Sequence, residues 1–402
     1  MQLSKLFVAV SAALVGSAAM AQTASVTLYG VVDTGIASNT FKVSNTAGGA
    51  KVTTLTEDEG RSARWGMRGT EKIGALNANF NLEGGFGPDT GAAPTAVLSN
   101  GASASPSLFN RRATVGLSGG FGAVDLGYSL TPFDDVLGMG HQMGANSWEN
   151  LNNGVSGGPG FAKTNNFRNY YNNCDSLAFD ARYGNSISYE SPVMGGFSAR
   201  TQYALLGENT VSGPKCFGWD TRVRGNIGPV TAGLAYAKHG NFNISGALID
   251  ADAIRGAVKA TFGMFEIDAN VERANYKPQA ATGGKYTYTS MGFGAVANLG
   301  STRVGAQYHK RDNGVAYLYN VTAAGASTAA VPATAFNNSA ASIANWKQGG
   351  GQHFTVKVDH SLSSRTRVYA YFSTMKNELN HFATANNQAT VQNLVAGIWH
   401  TF

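Results

Sequence analysis

Charged side chains are scarce in this 402-residue chain: only 13% of its residues are Asp, Glu, Lys or Arg, about half the roughly 25% of soluble proteins. That shortage excludes a charge-coated helical enzyme of the cytosol as the default reading. Cysteine is nearly absent, with Cys174 and Cys216 alone, and no C-x-x-C or H-E-x-x-H spacing accompanies them, so no metal site is expected. Proline is rare, at 10 residues, while glycine reaches 51. Glycine in excess without proline, alongside 10% aromatics, is neither collagen-like nor low-complexity. Beyond residue 21 no run of roughly 18 apolar residues occurs, which excludes a transmembrane helix. The mean hydropathy of −0.14 does not separate a soluble protein from a membrane barrel, because strands with one apolar and one polar face average to the same value.

The N-terminus has the form of a cleaved secretory signal over residues 1–21. Lys5 gives a positive n-region, Leu6 to Val15 an apolar h-region, and Ala19-Met20-Ala21 a small-x-small site. A mature chain from Gln22, forming one domain over 22–402, is expected. In an exported chain thiols oxidise, so a Cys174–Cys216 disulfide is expected, with two free thiols as the alternative.

What is abundant is alternation. Leu76, Ala78, Phe80 and Leu82 oppose Asn77, Asn79, Asn81 and Glu83, and Phe265, Ile267, Ala269 and Val271 oppose Glu266, Asp268, Asn270 and Glu272. Near the C-terminus Thr366, Val368, Ala370 and Phe372 oppose Arg365, Arg367, Tyr369 and Tyr371. A period of two marks strands with one apolar and one wet face. Short turns fall at Gly74, 119–122, 192–196, 228–229, 263–264, 299–301 and 361–364. Longer polar connections fall at about 38–60, 88–108, 131–181, 207–217, 240–251, 277–284, 312–349 and 375–390. Turns and loops alternate, which gives sixteen strands near the length a tilted membrane strand needs. An even number puts both termini on the short-turn, periplasmic side.

A soluble sandwich is the competing architecture, but the wet face carries too much charge for a core. Its phase holds thirteen cations: Arg64, Arg68, Arg112, Arg200, Arg222, Arg224, Arg255, Lys259, Arg303, Arg311, Lys357, Arg365 and Arg367. Nine acids share it, leaving about +4, and such a face requires water. Phe121, Phe197, Phe262, Phe265 and Phe402 near the turn ends suit an interfacial aromatic girdle.

Five stretches then resemble a known family, the trimeric general-diffusion porins of beta-proteobacteria and neisseriae. They are SVTLYGVVDTG (25–35), ARWGMRGTEKIGALNANFNLEGGF (63–86), FNRRATVGLSGGFGAVDLGYSLTP (109–132), RYGNSISYESPVMGGF (182–197) and the closing 395–402 with its terminal Phe. The resemblance implies a sixteen-stranded antiparallel outer-membrane barrel, assembly as a homotrimer, and a third loop, about 131–181, folded into the lumen. It implies that Arg64, Arg68 and Arg112 line the constriction opposite loop acids such as Asp134 and Asp135. It also implies that Phe402 is a signal read by the barrel-insertion machinery. Tyr128 and Trp399 stand where the family usually has Arg, so anion selectivity is expected to be weak.

Catalytic motifs carry little. The G-x-S-x-G matches at 116–120 and 154–158 lack the strand–turn–helix context of a nucleophile elbow, and Gly292-x-Gly294-x-x-Ala297 lacks the β-α-β context of a dinucleotide site. The loop acids Asp134, Asp135, Glu149, Asp175 and Asp180 lack calcium-loop spacing, and His141 reads as a polar loop residue. Cations spread over alternating positions rather than clustered with aromatics argue against nucleic acid. The expected protein is therefore no enzyme and holds no cofactor. It is a passive channel for ions and small hydrophilic solutes, with outer-membrane lipid around it. A substrate-specific porin for organic anions, a barrel enzyme and an adhesin are the alternatives.

Overall fold

A computed structural model describes residues 25–43, 50–57, 60–91, 108–137, 139, 179, 182–205, 215–244, 247–279, 286–312, 319–321, 327–330, 351–379 and 387–402. The first strands are β1 (Ser25–Val43), β2 (Ala50–Glu57), β3 (Arg64–Ile73), β4 (Leu76–Gly85), β5 (Arg112–Gly119) and β6 (Gly122–Leu130). A short helix, α1 (Pro132–Leu137), follows. The wall continues with β7 (Arg182–Glu190), β8 (Phe197–Ala204), β9 (Phe217–Ile227), β10 (Val230–Ile244), β11 (Ala247–Phe262), β12 (Phe265–Pro278), β13 (Tyr286–Leu299) and β14 (Thr302–Arg311). A separate hairpin of β15 (Tyr319–Val321) and β16 (Ser327–Ala330) precedes the last three strands, β17 (Gly351–Ser361), β18 (Thr366–Leu379) and β19 (Asn387–Thr401).

Neighbouring wall strands pair antiparallel, and β1 pairs with β19 from Val31↔Thr401 to Val43↔Ala389, so the sheet closes on itself and leaves no free edge. The lower half of β1 pairs with β3 and the upper half with β2. These two are segments of one wall strand, and the barrel has sixteen strands.

Period-two alternation sorts the side chains. Val26, Leu28 and Ile36 of β1 are 65%, 63% and 60% exposed, whereas Val31, Asp33 and Ala37 between them are buried inside. A soluble protein would hide such an apolar outer face; here lipid covers it. Phe121, Phe197, Phe262, Phe265 and Phe402 are all exposed near the short-turn end. All seven expected turns are present, as at Gly263, whose φ of 57° is left-handed.

The expected loop bounds 131–181 and 312–349 match the strand ends at Leu130, Arg182, Arg311 and Gly351. Three others need correction. Around 38–60, β1 runs on to Val43 and pairs with β2; around 240–251 the connection shrinks to the two residues between Ile244 and Ala247; and around 375–390, β18 runs on to Leu379 and pairs with β19 from Asn387. Around 38–60 alternation weakens because above the membrane neither face must be apolar, whereas around 240–251 it persists, with Phe242 and Ile244 alternating with Asn241 and Asn243. The signal segment 1–21 and residues His141, Glu149, Cys174, Asp175 and Asp180 lie outside the described residues.

Inside the barrel the root of the third loop has its own dry contact. Phe133 and Val136 of α1, with Met139 and Phe179, are buried against Ala235, Ala237, Ala251, Ala253, Ala257 and Ala274. The small residues make the room: a Cβ on Gly233 would stand 2.6 Å from Met139 Sδ. Arg255 locks the contact, its guanidinium 4.2 Å from the Phe133 ring centroid and its Nη1 donating to the Phe133 carbonyl at 3.2 Å. Arg255 is itself held by Glu272, which accepts from Nε at 2.8 Å.

Candidate functional site: the lumen wall

Two arcs of the inner wall hold six of the thirteen inward cations; the others lie from β11 round to β18, in pairs such as Arg255–Glu272 and Arg303–Glu266. On the first, the β3–β4–β5 ladder puts Arg64, Arg68, Glu83 and Arg112 on one face, since Gly66↔Glu83 and Glu83↔Arg112 are cross-strand partners. Glu83 is the hub. It accepts from Arg111 Nε at 2.7 Å and from the Tyr29 hydroxyl at 3.1 Å, with Arg64 Nε 3.6 Å away. Arg112 reaches Asp125 on β6 at 3.5 Å. Arg68 lies nearer the periplasmic turn, its guanidinium 5.3 Å from the Tyr29 ring centroid. Among the described residues no carboxylate pairs with it. Arg68, Arg112 and the Asp125 carboxylate line a recess of about 330 Å³ that also presents the hydroxyls of Ser25, Thr27, Thr70 and Thr114.

The second arc lies on β7 to β9. Asp135 of α1 accepts from Arg222 Nε at 2.9 Å and Arg200 Nη1 at 3.1 Å, and Arg222 Nη2 also donates to Glu190 at 2.6 Å. Asp135 therefore spends its charge on the wall beside its own loop. The structure brings Asp135 to Arg200 and Arg222, and among the described residues no ion pair joins it or Asp134 to Arg64, Arg68 or Arg112. On the side of the first arc away from the second, Asp33 accepts from Gly60 N at 2.6 Å and the Tyr369 hydroxyl at 2.7 Å. Nearby, Arg61 and Arg367 stack on Trp399 at 5.0 and 5.5 Å.

Sequence reasoning missed Arg111 as a site residue. It precedes β5, so strand phase says nothing of it; its place beside Arg112 in the F-N-R-R stretch was the only signal. Of the two departures from arginine, Trp399 does face inward. Tyr128 pairs with Ala113, sharing the outward phase of Leu126, and its hydroxyl donates to the Asn110 carbonyl at 3.1 Å. A charge lost at Tyr128 is therefore not a charge lost from the lumen face. Cys216 is buried and disulfide-bonded. Gly292 and Gly294 of the dinucleotide-like motif lie within strand β13, and among the described residues no three potential ligands gather to hold a metal.

A closed sixteen-stranded wall with a charged interior narrows the comparison with known proteins. A family described as Gram-negative porin matches residues 8–380. The chain belongs to that family. Its relatives include outer membrane porin protein 32 of Delftia acidovorans, 30% identical over 303 residues that cover 74% of this chain and 77% of that one. An outer membrane porin protein of Bordetella pertussis is 30% identical over 241 residues, covering 57% and 54% of the two chains. Among solved structures, an anion-selective porin from Comamonas acidovorans superposes with a TM-score of 0.65 at 26% identity, covering 94% of this chain and 100% of that one. The porin is thus a multi-pass barrel of the Gram-negative outer membrane, and members of this family are not catalytic enzymes.

Proposed function

We propose that this porin forms a water-filled channel for passive diffusion of ions and small hydrophilic solutes, with a weak preference for anions. The supporting observation is the uneven neutralisation of the wall. On the first arc Arg64 and Arg111 share Glu83, Arg112 reaches Asp125 and, among the described residues, no carboxylate pairs with Arg68, whereas on the second Asp135 and Glu190 offset Arg200 and Arg222 and leave Arg224 over. Unbalanced fixed cations beside a water path enrich anions, and screening limits the effect. The likeness to a porin described as anion-selective points the same way. Planar-bilayer recording tests the reading: ohmic steps with a reversal potential on the chloride side support it, and folded protein without conductance, or with a clear cation preference, overturns it.

The Arg68–Arg112 recess favours a second reading, a porin with affinity for small organic anions, since two guanidiniums and several hydroxyls there match a carboxylate-bearing solute. Saturable block of the ionic current by such a solute would distinguish it. The homotrimer belongs to the same proposal, supported by the resemblance of the five stretches, and cross-linking in detergent reads it directly. So does Phe402 as the assembly signal: it is 47% exposed on the outer face and its backbone pairs with Gly30 at 3.2 Å in both directions.

A further inference from the structure

Trp399 differs from its inner-wall neighbours in what it holds. The guanidinium carbons of Arg61 and Arg367 lie 5.0 and 5.5 Å from its ring centroid. Arg367 is its cross-strand partner on β18. Arg61 comes from the short connection between β2 and β3, which is seated on the inner wall. Asp33, fully buried, accepts from Gly60 N at 2.6 Å, from Arg61 N and from the Tyr369 hydroxyl at 2.7 Å. A Cβ on Gly60 would stand 2.7 Å from Tyr369 Cε1 and 2.8 Å from Trp399 Cδ1, so glycine lets the connection lie this close.

Arg255 and Arg222 are oriented by carboxylates that occupy their donors, Glu272 and Asp135. Here an indole orients the side chains instead. Among the described residues no carboxylate pairs with Arg61 or Arg367. A guanidinium stacked on a ring keeps both its charge and its N–H donors. Arg61 is exposed and Arg367 half-buried, so both forks reach the lumen. Their place also suits contact with a passing solute. Trp399 lies two residues inside the end of β19, and Gly233, which receives Met139 of the third loop's root, lies three inside the start of β10. Because β19 is seven wall strands on from β10 in a wall of sixteen, the two arginines face that root across the lumen at like depth.

We propose, on the channel reading above, that Arg61 and Arg367 mounted on Trp399 form a binding station for planar oxyanions, the class of carboxylates and nitrate, in preference to halides. A guanidinium fork matches two coplanar oxygens bidentately, whereas a spherical halide meets it only as charge. Trp399, 9% exposed, is the positioning residue that sets the direction of both forks.

The test uses the full chain in planar bilayers and bi-ionic reversal potentials for formate against chloride at about 0.1 M salt, where screening is moderate. Formate holds its water more tightly than chloride, so hydration alone favours chloride. Wild type should prefer formate about threefold beyond the ratio of the two mobilities in water, as suits one exposed charge-assisted pair. R61K/R367K keeps both charges and removes both forks; the formate preference should vanish, while the chloride-to-potassium ratio moves far less. Trp399→Leu leaves the arginines without their mount and should lose most of the preference, and Trp399→Phe, with a smaller ring face, should recover part of it. A wild-type ratio set by mobility alone, or an unaltered preference in the Lys pair, overturns the proposal. So does loss of the preference in R68K but not in the Lys pair, which would assign it to the Arg68–Arg112 recess. Glu57, Asp58 and Glu59 precede Arg61 in the chain; if they neutralised it, R61Q would keep the wild-type chloride-to-potassium ratio, and that result also counts against the station. Absent conductance or a clear cation preference in wild type overturns the channel reading itself, which separates the two failures. If the Trp399 variants do not fold, the Lys pair carries the comparison.

Discussion

Replacing Arg68 by glutamine removes the inner-wall cation of the first arc that, among the described residues, no carboxylate offsets, while leaving a side chain of similar reach. Its stacking on Tyr29, 5.3 Å away, is worth about 0.5–1 kcal/mol at an exposed site, so the barrel should still fold. The electrostatic loss is larger in consequence than in size. For an ion passing about 7 Å away, a unit charge in a water-like dielectric contributes about 0.6 kcal/mol, and a Debye length of about 10 Å at 0.1 M halves it to about 0.3 kcal/mol. That changes local anion and cation concentrations by about 1.7-fold in opposite directions, so the chloride-to-potassium permeability ratio should fall about threefold. A lower dielectric near the wall would enlarge the drop. At 1 M salt the Debye length is about 3 Å and the change should shrink to about 1.2-fold. Reversal potentials across salt gradients at both ionic strengths measure this, with folding checked by the heat-shifted mobility of the barrel. An unchanged ratio at 0.1 M, or a change that persists at 1 M, would refute the reasoning.

Phe133→Ala should loosen α1 from the alanine-lined wall, at a cost of about 3–5 kcal/mol for a buried aromatic and the Arg255 stacking besides. Single-channel records should become noisier and the third loop easier to cleave, and wild-type noise and cleavage would count against α1 as its anchor. Gly30→Val places a Cβ 2.2 Å from the Phe402 ring and 2.8 Å from the Arg64 carbonyl; the fraction of folded barrel after expression should fall, and wild-type yield would show that the terminal contact is dispensable. Denatured, unreduced protein should titrate no thiol and two after reduction, since Cys216 is bonded and Cys174 is the only other cysteine. Closing the 41 residues between them would stabilise by about 3–4 kcal/mol on the chain-entropy view, so the oxidised form should resist proteolysis longer than the reduced one.

Much of the architecture could be read along the chain because a barrel strand makes its environment explicit every second residue. Leu76 to Glu83 must show lipid one face and water the other, and a one-residue slip would invert both. Strand count, turn positions, the 131–181 loop and the inward phase of Arg64, Arg68 and Arg112 all follow from that local rule. It failed above the membrane, where residues 38–43 and 50–57 pair without any need for an apolar face.

Which charges meet was decided only by closure of the sheet. Nothing local in the sequence tells that Asp135, two residues from the end of α1, finds Arg200 and Arg222 instead of Arg68, or that Arg111 and Arg64 compete for Glu83. Those pairings join residues tens of positions apart, and each depends on the register and curvature of several ladders at once.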